Sequence, residues 1–182
     1  LFDLGVSSFQ LDAPERGFSF RYEAPLDMRM DQRTAATATD LVNRMSEAEL
    51  MRIFIESGYH GREARRLARA ITATRQMSPI TTTAQFAALV AATLPAYHRS
   101  KIHPATKAFQ ALRIAVNDEI AALATALIIA TNRSNTTARV VVLSYHSLED
   151  GETKRTFHYL AGKAPPPSNP YDPTPPAPPR LG

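Results

Sequence analysis

The chain has 182 residues, an apolar fraction of 44%, a charged fraction of 21% and no cysteine. That length suits one domain with a real core or a small domain plus an insertion, and the missing cysteine excludes disulfide scaffolds, thiolate metal sites and cysteine nucleophiles. The formal net charge of +4 and pI near 9.6 are compatible with a nucleic-acid partner, and equally with none.

Leu1 to Val6 reads as the end of a buried strand running into a turn at Gly5, Ser7 and Ser8. The chain opens inside that strand without an initiator methionine, so it is expected to be a fragment. Residues 9–36 show no periodicity and are expected to form one long ordered loop, with Phe18, Phe20 and Tyr22 arguing against disorder. Thr39 or Asp40 is expected to cap a short helix through Met45. Ser46 and Glu49 have capping-box spacing ahead of Leu50, Ile53 and Phe54, and that helix should stop at Gly58. A helix from Arg62 to Arg75 carries Ala64, Leu67, Ala68 and Ile71 on one face, and another runs from Thr82 or Thr83 to Leu94.

The longest helix is predicted from Pro104 to Ala130, with apolar residues every three or four positions. A polar turn follows, and then Arg139 to Tyr145 reads as a central parallel strand buried on both faces. Ser147 opens a last helix to about Leu160. Nine of the 14 prolines lie between Pro165 and Pro179, which predicts an extended, unpacked tail. The apolar run Ala121–Ala130 falls far short of the roughly 20 residues that span a bilayer, so no membrane is expected. Two buried strands separated by a long helical stretch point to an open α/β sheet with a helical insertion.

Three constellations have chemical potential. Asp3-Leu4-Gly5-Val6-Ser7-Ser8 lies where a strand's carboxyl end meets a loop, the edge at which open α/β sheets bind ligands; a simple tight turn is the competing reading. Ser144-Tyr145-His146-Ser147-Leu148-Glu149-Asp150 follows the second strand on the same predicted edge. There Ser147 also suits a helix N-cap, and no Gly-x-Ser-x-Gly elbow supports a hydrolase. Thr106, Gln110, Arg113 and Asn117 share one face of the long helix and suit bases or phosphates, although the wet side of a helix looks the same. Arg62, Arg65, Arg66, Arg69 and Arg75 crowd one segment and Arg99, Lys101 and Lys107 another, and a solvated face is the plain reading of both. The five histidines show no metal-ligand spacing, so no metal is expected.

Taken together, Asp3-Leu-Gly-Val-Ser-Ser-Phe-Gln10-Leu-Asp12, Glu15-Arg-Gly-Phe-Ser-Phe20, Pro25-Leu-Asp-Met-Arg-Met-Asp31, Ala68-Arg-Ala-Ile71, His103-Pro-Ala-Thr106, Phe109-Gln-Ala-Leu-Arg-Ile114, Val116-Asn117 and Ser144-Tyr-His-Ser-Leu-Glu-Asp150 resemble the MraW family over roughly residues 1 to 160. That resemblance implies transfer of a methyl group from S-adenosyl-L-methionine to the N4 amine of a cytidine in small-subunit ribosomal RNA, in the cytoplasm. It implies an incomplete Rossmann-like methyltransferase domain, from residues 1–20 and 104–162. A loop and helical insertion would occupy 21–103 and a proline-rich tail 163–182.

Asp3 and Gln10 would contact the cofactor, and Thr106, Gln110, Arg113 and Asn117 the RNA. Oxygens at Ser7 and Ser8 would hold the amine hydrogens, and His146 would take the departing proton. The family's glycine-rich loop is expected upstream of Leu1. Phe9 stands where proline is usual and Gly151 where arginine is usual. A non-catalytic RNA-binding module and an inactive copy remain the alternatives.

Overall fold

Capping chemistry sets most element starts. The computed structural model describes residues 1–94 and 103–165. In chain order they form β1 (Phe2–Asp3), α1 (Ser8–Asp12), a 3-10 turn at Pro14–Arg16, α2 (Ala38–Arg44), α3 (Glu47–Glu56), α4 (Gly61–Met77), α5 (Thr83–Thr93), α6 (Ala105–Asn117), α7 (Glu119–Arg133), β2 (Val142–Leu143) and α8 (Ser147–Leu160). Ser46 with Glu49 and Thr82 with Gln85 form reciprocal capping boxes, each satisfying two orphan N–H groups. The same box at Thr37 and Asp40 starts α2 earlier than expected: Thr37 is the cap, and the Thr39 hydroxyl instead donates to the Leu26 carbonyl at 2.9 Å. The chain is mostly helical, with one small parallel sheet.

The described residues divide into two compact units, residues 6–117 and residues 1–5 with the chain from Asp118 onward. In the first, helices α2 to α6 pack around Leu50, Phe54, Leu67, Ile71, Phe86 and Leu112, all fully buried. Each such side chain contributes about 1.5–3 kcal/mol of burial. The expected loop over residues 9–36 is corrected at its start, where α1 and the 3-10 turn occupy Ser8 to Arg16.

Farther along, residues 22–27 are tied to the start of α5. Leu26 N–H donates to Thr81 O and Thr83 N–H to Ala24 O, at 3.0 and 2.9 Å. Asn43 binds Ile80 with both ends of its amide, replacing a missing strand partner.

In the second unit β1 and β2 pair in parallel, with Phe2 N–H donating to Val141 O and Leu4 N–H to Leu143 O. Gly5, at φ +94°, ends the first strand. The predicted strand Arg139–Tyr145 shrinks to two residues, and it is not buried on both faces: Val141 and Leu143 are 50% and 46% exposed. Apolar composition reports a capacity for burial, whereas a ladder needs a partner on each side. Among the described residues β2 has β1 alone. Leu123, Leu127, Tyr159 and Leu160 are buried where α7 packs against α8.

The single helix predicted from Pro104 to Ala130 is two. Asp118 takes left-handed backbone angles (φ 48°, ψ 41°), which aspartate tolerates better than most residues, and apolar spacing on either side does not register such a break. No single helix among the described residues is long and apolar enough to cross a membrane. Arg99, Lys101 and the tail beyond Pro165 lie outside the described residues.

Candidate functional site

Parallel pairing puts the carboxyl ends of β1 and β2 at one edge. Asp3 ends β1, and Ser144, Tyr145 and His146 follow β2. The Tyr145 hydroxyl donates to Asp3 Oδ1 at 2.8 Å, and that bond, reinforced by the carboxylate's charge, pushes the phenol above its ordinary pKa. A β-carbon on Gly5 would meet the Tyr145 ring at an ordinary 3.6 Å, so backbone angle rather than space requires glycine there.

His146, not Ser147, caps α8. Its Nδ1 accepts from the Glu149 N–H at 3.4 Å, and Ser147 is the first helical residue. Extended backbone at His146 (φ −148°, ψ 162°) brings the ring over the first turn, a role residue preferences assign to serine. An accepting Nδ1 places the neutral ring's proton on Nε2. That nitrogen is buried without a hydrogen bond; Glu149 Oε1 stands 3.2 Å away, out of alignment, so their contact is electrostatic. Glu149 Oε2 accepts from the Tyr145 N–H at 2.9 Å, locking the turn between β2 and α8. Asp3, Tyr145, His146 and Glu149 thus form one connected polar group.

The remaining predicted residues belong to the helical unit. Ser7 and Gln10 cap α1 reciprocally: Ser7 N–H donates to Gln10 Oε1 at 2.9 Å and Gln10 N–H to Ser7 Oγ at 3.4 Å. Ser8 and Phe9 stay exposed, and the Ser8 hydroxyl makes no hydrogen bond with a described residue. On α6, Thr106 is exposed while Gln110, Arg113 and Asn117 are half-buried. Asn117 is fully engaged with backbone, its Oδ1 accepting from Met30 N–H at 2.6 Å and its Nδ2 donating to Met28 O and Arg113 O at 2.8 and 2.9 Å.

The loop that Asn117 holds is braced from the other side. Arg16 Nη2 donates to Arg29 O and Met30 O at 2.8 and 3.1 Å. Arg29 clasps Asp27 with two parallel bonds of 2.8 Å and reaches Gln32 O and Thr34 O with Nη1. Between them Met28 is fully buried with φ +63°, uncommon for a side chain with a β-carbon. Among the described residues no group of three or more histidines and acids is placed to hold a metal ion.

The model of the MraW methylase family matches residues 1–177, nearly the whole chain. The chain belongs to the MraW methylase family. A relative from Granulibacter bethesdensis, "Ribosomal RNA small subunit methyltransferase H", is 51% identical over 171 residues, covering 94% of this chain and 50% of the relative. Proteins of the same name from Thermobifida fusca and Trichlorobacter lovleyi are 52% and 49% identical, covering 93% and 94% of this chain and 52% and 55% of their own lengths. The chain therefore spans about half the length of the curated relatives it matches. The match runs past residue 160, where the recognisable MraW motifs end.

Motif reading gave no individual role to Arg16, Asp27, Arg29, Tyr145 or Glu149. Their partners are backbone groups and residues distant in sequence, so no local pattern exposes them. The clasp by Arg29 holds the Asp27 carboxyl below its ordinary value of 3.8, against the opposing effect of burial. A lowered folded-state pKa stabilises the fold above the unfolded value, and the contribution is lost as pH falls through the folded one. The melting temperature is accordingly expected to hold between neutrality and about pH 5 and to fall below about pH 4. Asp27→Asn should melt lower at neutrality and decline less steeply in acid; parallel curves would contradict the assignment.

Proposed function

We propose that this chain takes part in transferring a methyl group from S-adenosyl-L-methionine to the N4 amine of a cytidine in small-subunit ribosomal RNA, in the cytoplasm. The observation carrying this reading is high identity, over nearly the whole chain, to relatives named for methylating small-subunit ribosomal RNA. The sequence-based division is 1–20 with 104–162 against 21–103, and here the two compact units stand in for it. The sheet-bearing unit belongs to a Rossmann-like domain, and the helical unit is its insertion. Exposure of Val141 and Leu143 beside a parallel pair supports a wider sheet.

The residues present suit the cofactor. Asp3 Oδ2 has no hydrogen bond among the described residues, and neither do the Gln10 amide N–H groups. Asp3 Oδ2, in the sheet-bearing unit, suits a hydroxyl or amine as an acceptor, and the Gln10 amide, in the helical unit, suits a carboxylate as a donor. When bound, S-adenosyl-L-methionine supplies an electrophilic methyl group.

The protein's task on the RNA side is to hold a weak nucleophile. The exocyclic amine of cytosine shares its lone pair with the ring, and an oxygen accepting its hydrogens returns that pair to nitrogen. Ser8 is the hydroxyl left open for this, while Ser7, tied to Gln10, fixes the turn. His146, its Nδ1 engaged by Glu149, acts as a positioning residue for the start of α8, and the released amine proton passes to solvent. Thr106, Gln110 and Arg113 contact RNA, and Asn117 fixes the loop beside them. The target base is unstacked, as in a looped RNA.

The test is incubation of this chain, joined to the remaining half of a curated relative, with unmodified small-subunit ribosomal RNA and methyl-labelled S-adenosyl-L-methionine, followed by mass spectrometry of the nucleosides. Label in N4-methylcytidine is expected, falling at least about tenfold in Asp3→Ala, the loss of roughly one charge-assisted hydrogen bond. Label on a ring carbon or ribose would overturn the amine assignment. RNA binding without transfer would overturn the enzymatic reading in favour of a non-catalytic RNA-binding module.

A further inference from the structure

Helix α4 breaks two local rules at once. Arg62, Arg65, Arg66 and Arg69 all lie on its exposed side, opposite the buried Ala64, Leu67, Ala68 and Ile71. Their spacing makes neighbours of 62 and 65, 62 and 66, 65 and 69, and 66 and 69, four pairings of like charge that weaken a helix. Arg62 and Arg65 also sit near the helix's N-terminus, the positive end of its dipole, where cations are unfavourable. Over Gly61–Met77 five arginines face a single acid, Glu63.

Most other arginines of this unit are engaged. Arg29, Arg33, Arg44 and Arg52 each pair with an acid two or four residues away, and Arg75 donates to Val42 O at 2.8 Å. Among the described residues, Arg69 is the one arginine of the α4 face that finds an acid, Glu47 at 3.8 Å. Arg62, Arg65 and Arg66 make no ion pair or hydrogen bond with any described residue. Lys107 extends the cluster: its Nζ donates to Gly58 O and lies 4.4 Å from the centre of the Tyr59 ring, in the turn just ahead of α4. Lys107 adjoins Thr106, which begins the polar stripe of α6.

We propose that this face of α4, continued by Lys107, is a phosphate-binding surface for the backbone of the RNA substrate, separate from the residues that take the target base. The inference rests on the RNA reading given above. Arg62 to Arg69 rise about 10 Å along the helix, the span of two or three nucleotides. Guanidinium forks match phosphate oxygens two at a time. Contacts of this kind go to the phosphates, so they position the strand without reading its sequence. Self-repulsion is relieved when the anion is bound.

Fluorescence anisotropy with a labelled single-stranded oligoribonucleotide, over a series of KCl concentrations, tests this. In the triple variant Arg62→Ala, Arg65→Ala, Arg66→Ala, the slope of log affinity against log salt is expected to flatten by about 2, with affinity at low salt falling on the order of tenfold to a hundredfold. Lysine at the same three positions should restore most of the slope, and the alanine variant should melt no lower than the parent. A variant that binds RNA with the parent's affinity and slope would overturn the proposal while leaving the RNA reading intact. Failure of the parent itself to bind RNA would overturn both. Tighter binding of the parent to a polyglutamate peptide would assign the face to an acidic protein instead.

Discussion

Replacing Gly17 with alanine is expected to unfold the helical unit or bring it close to unfolding. A β-carbon there would lie 2.3 Å from Pro25 O and 2.6 Å from Asp27 N, distances no pair of such atoms sustains. Both obstacles are backbone, and both are held. Leu26, between them, donates to Thr81 O, and Asp27 accepts the Arg29 clasp. Gly17 also has φ +71°, which adds strain for any side chain. Relief would require moving residues 25–27 off the start of α5, so a loss of about 3 kcal/mol or more is expected, against a total stability of roughly 5–15 kcal/mol.

Thermal unfolding followed by circular dichroism measures it, with Gly151→Ala as the contrast. Gly151 lies within α8, its φ is not positive, and nothing stands within 4 Å of the added carbon. Alanine there should raise stability by about 0.5–1 kcal/mol. Equal melting of the two variants would refute the role given to Gly17.

The difference between these glycines marks what the sequence made legible. Helices α3, α4 and α5 were readable because their signals are local: Ser46–Glu49 and Thr82–Gln85 at capping-box spacing, and Ala64, Leu67, Ala68 and Ile71 on one face. The order within residues 13–36 was not. Its bonds join Arg16 to Arg29 and Met30, Ala24 and Leu26 to Thr83 and Thr81, and Asn117 to Met28 and Met30. Side chains serving as partners for distant backbone leave no periodic trace.

The shared edge of the two strands was readable from strand–loop junctions at Asp3 and Ser144. The bond from Tyr145 to Asp3 spans 142 residues and was not. His146 shows a subtler limit. Residue preference favoured Ser147 as the cap, but the neighbouring backbone is extended at His146, and geometry decides which side chain reaches the free N–H groups.

Asn117 separates two roles that the sequence could not distinguish. On the polar stripe of α6 it reads as an RNA contact, and Asn117→Ala would then weaken RNA binding and leave the fold intact. The structure assigns its amide to three backbone groups instead. Alanine would leave the Met30 N–H and Met28 carbonyl without those partners and remove one of the two braces on the left-handed Met28. A loss of about 2–4 kcal/mol is expected.

Asn117→Asp should be no better. A carboxylate still accepts from Met30 N–H but cannot donate to Met28 O or Arg113 O, and it sets a negative charge beside both carbonyls. Thr106→Ala, at the exposed start of the same stripe, should change stability by less than about 0.5 kcal/mol. Urea unfolding of the three variants, paired with hydrogen exchange at Met30, tests this, the Met30 amide exchanging much faster in Asn117→Ala. Wild-type stability in Asn117→Ala with reduced RNA affinity would move Asn117 to the RNA surface and leave Arg16 and Arg29 to hold the loop.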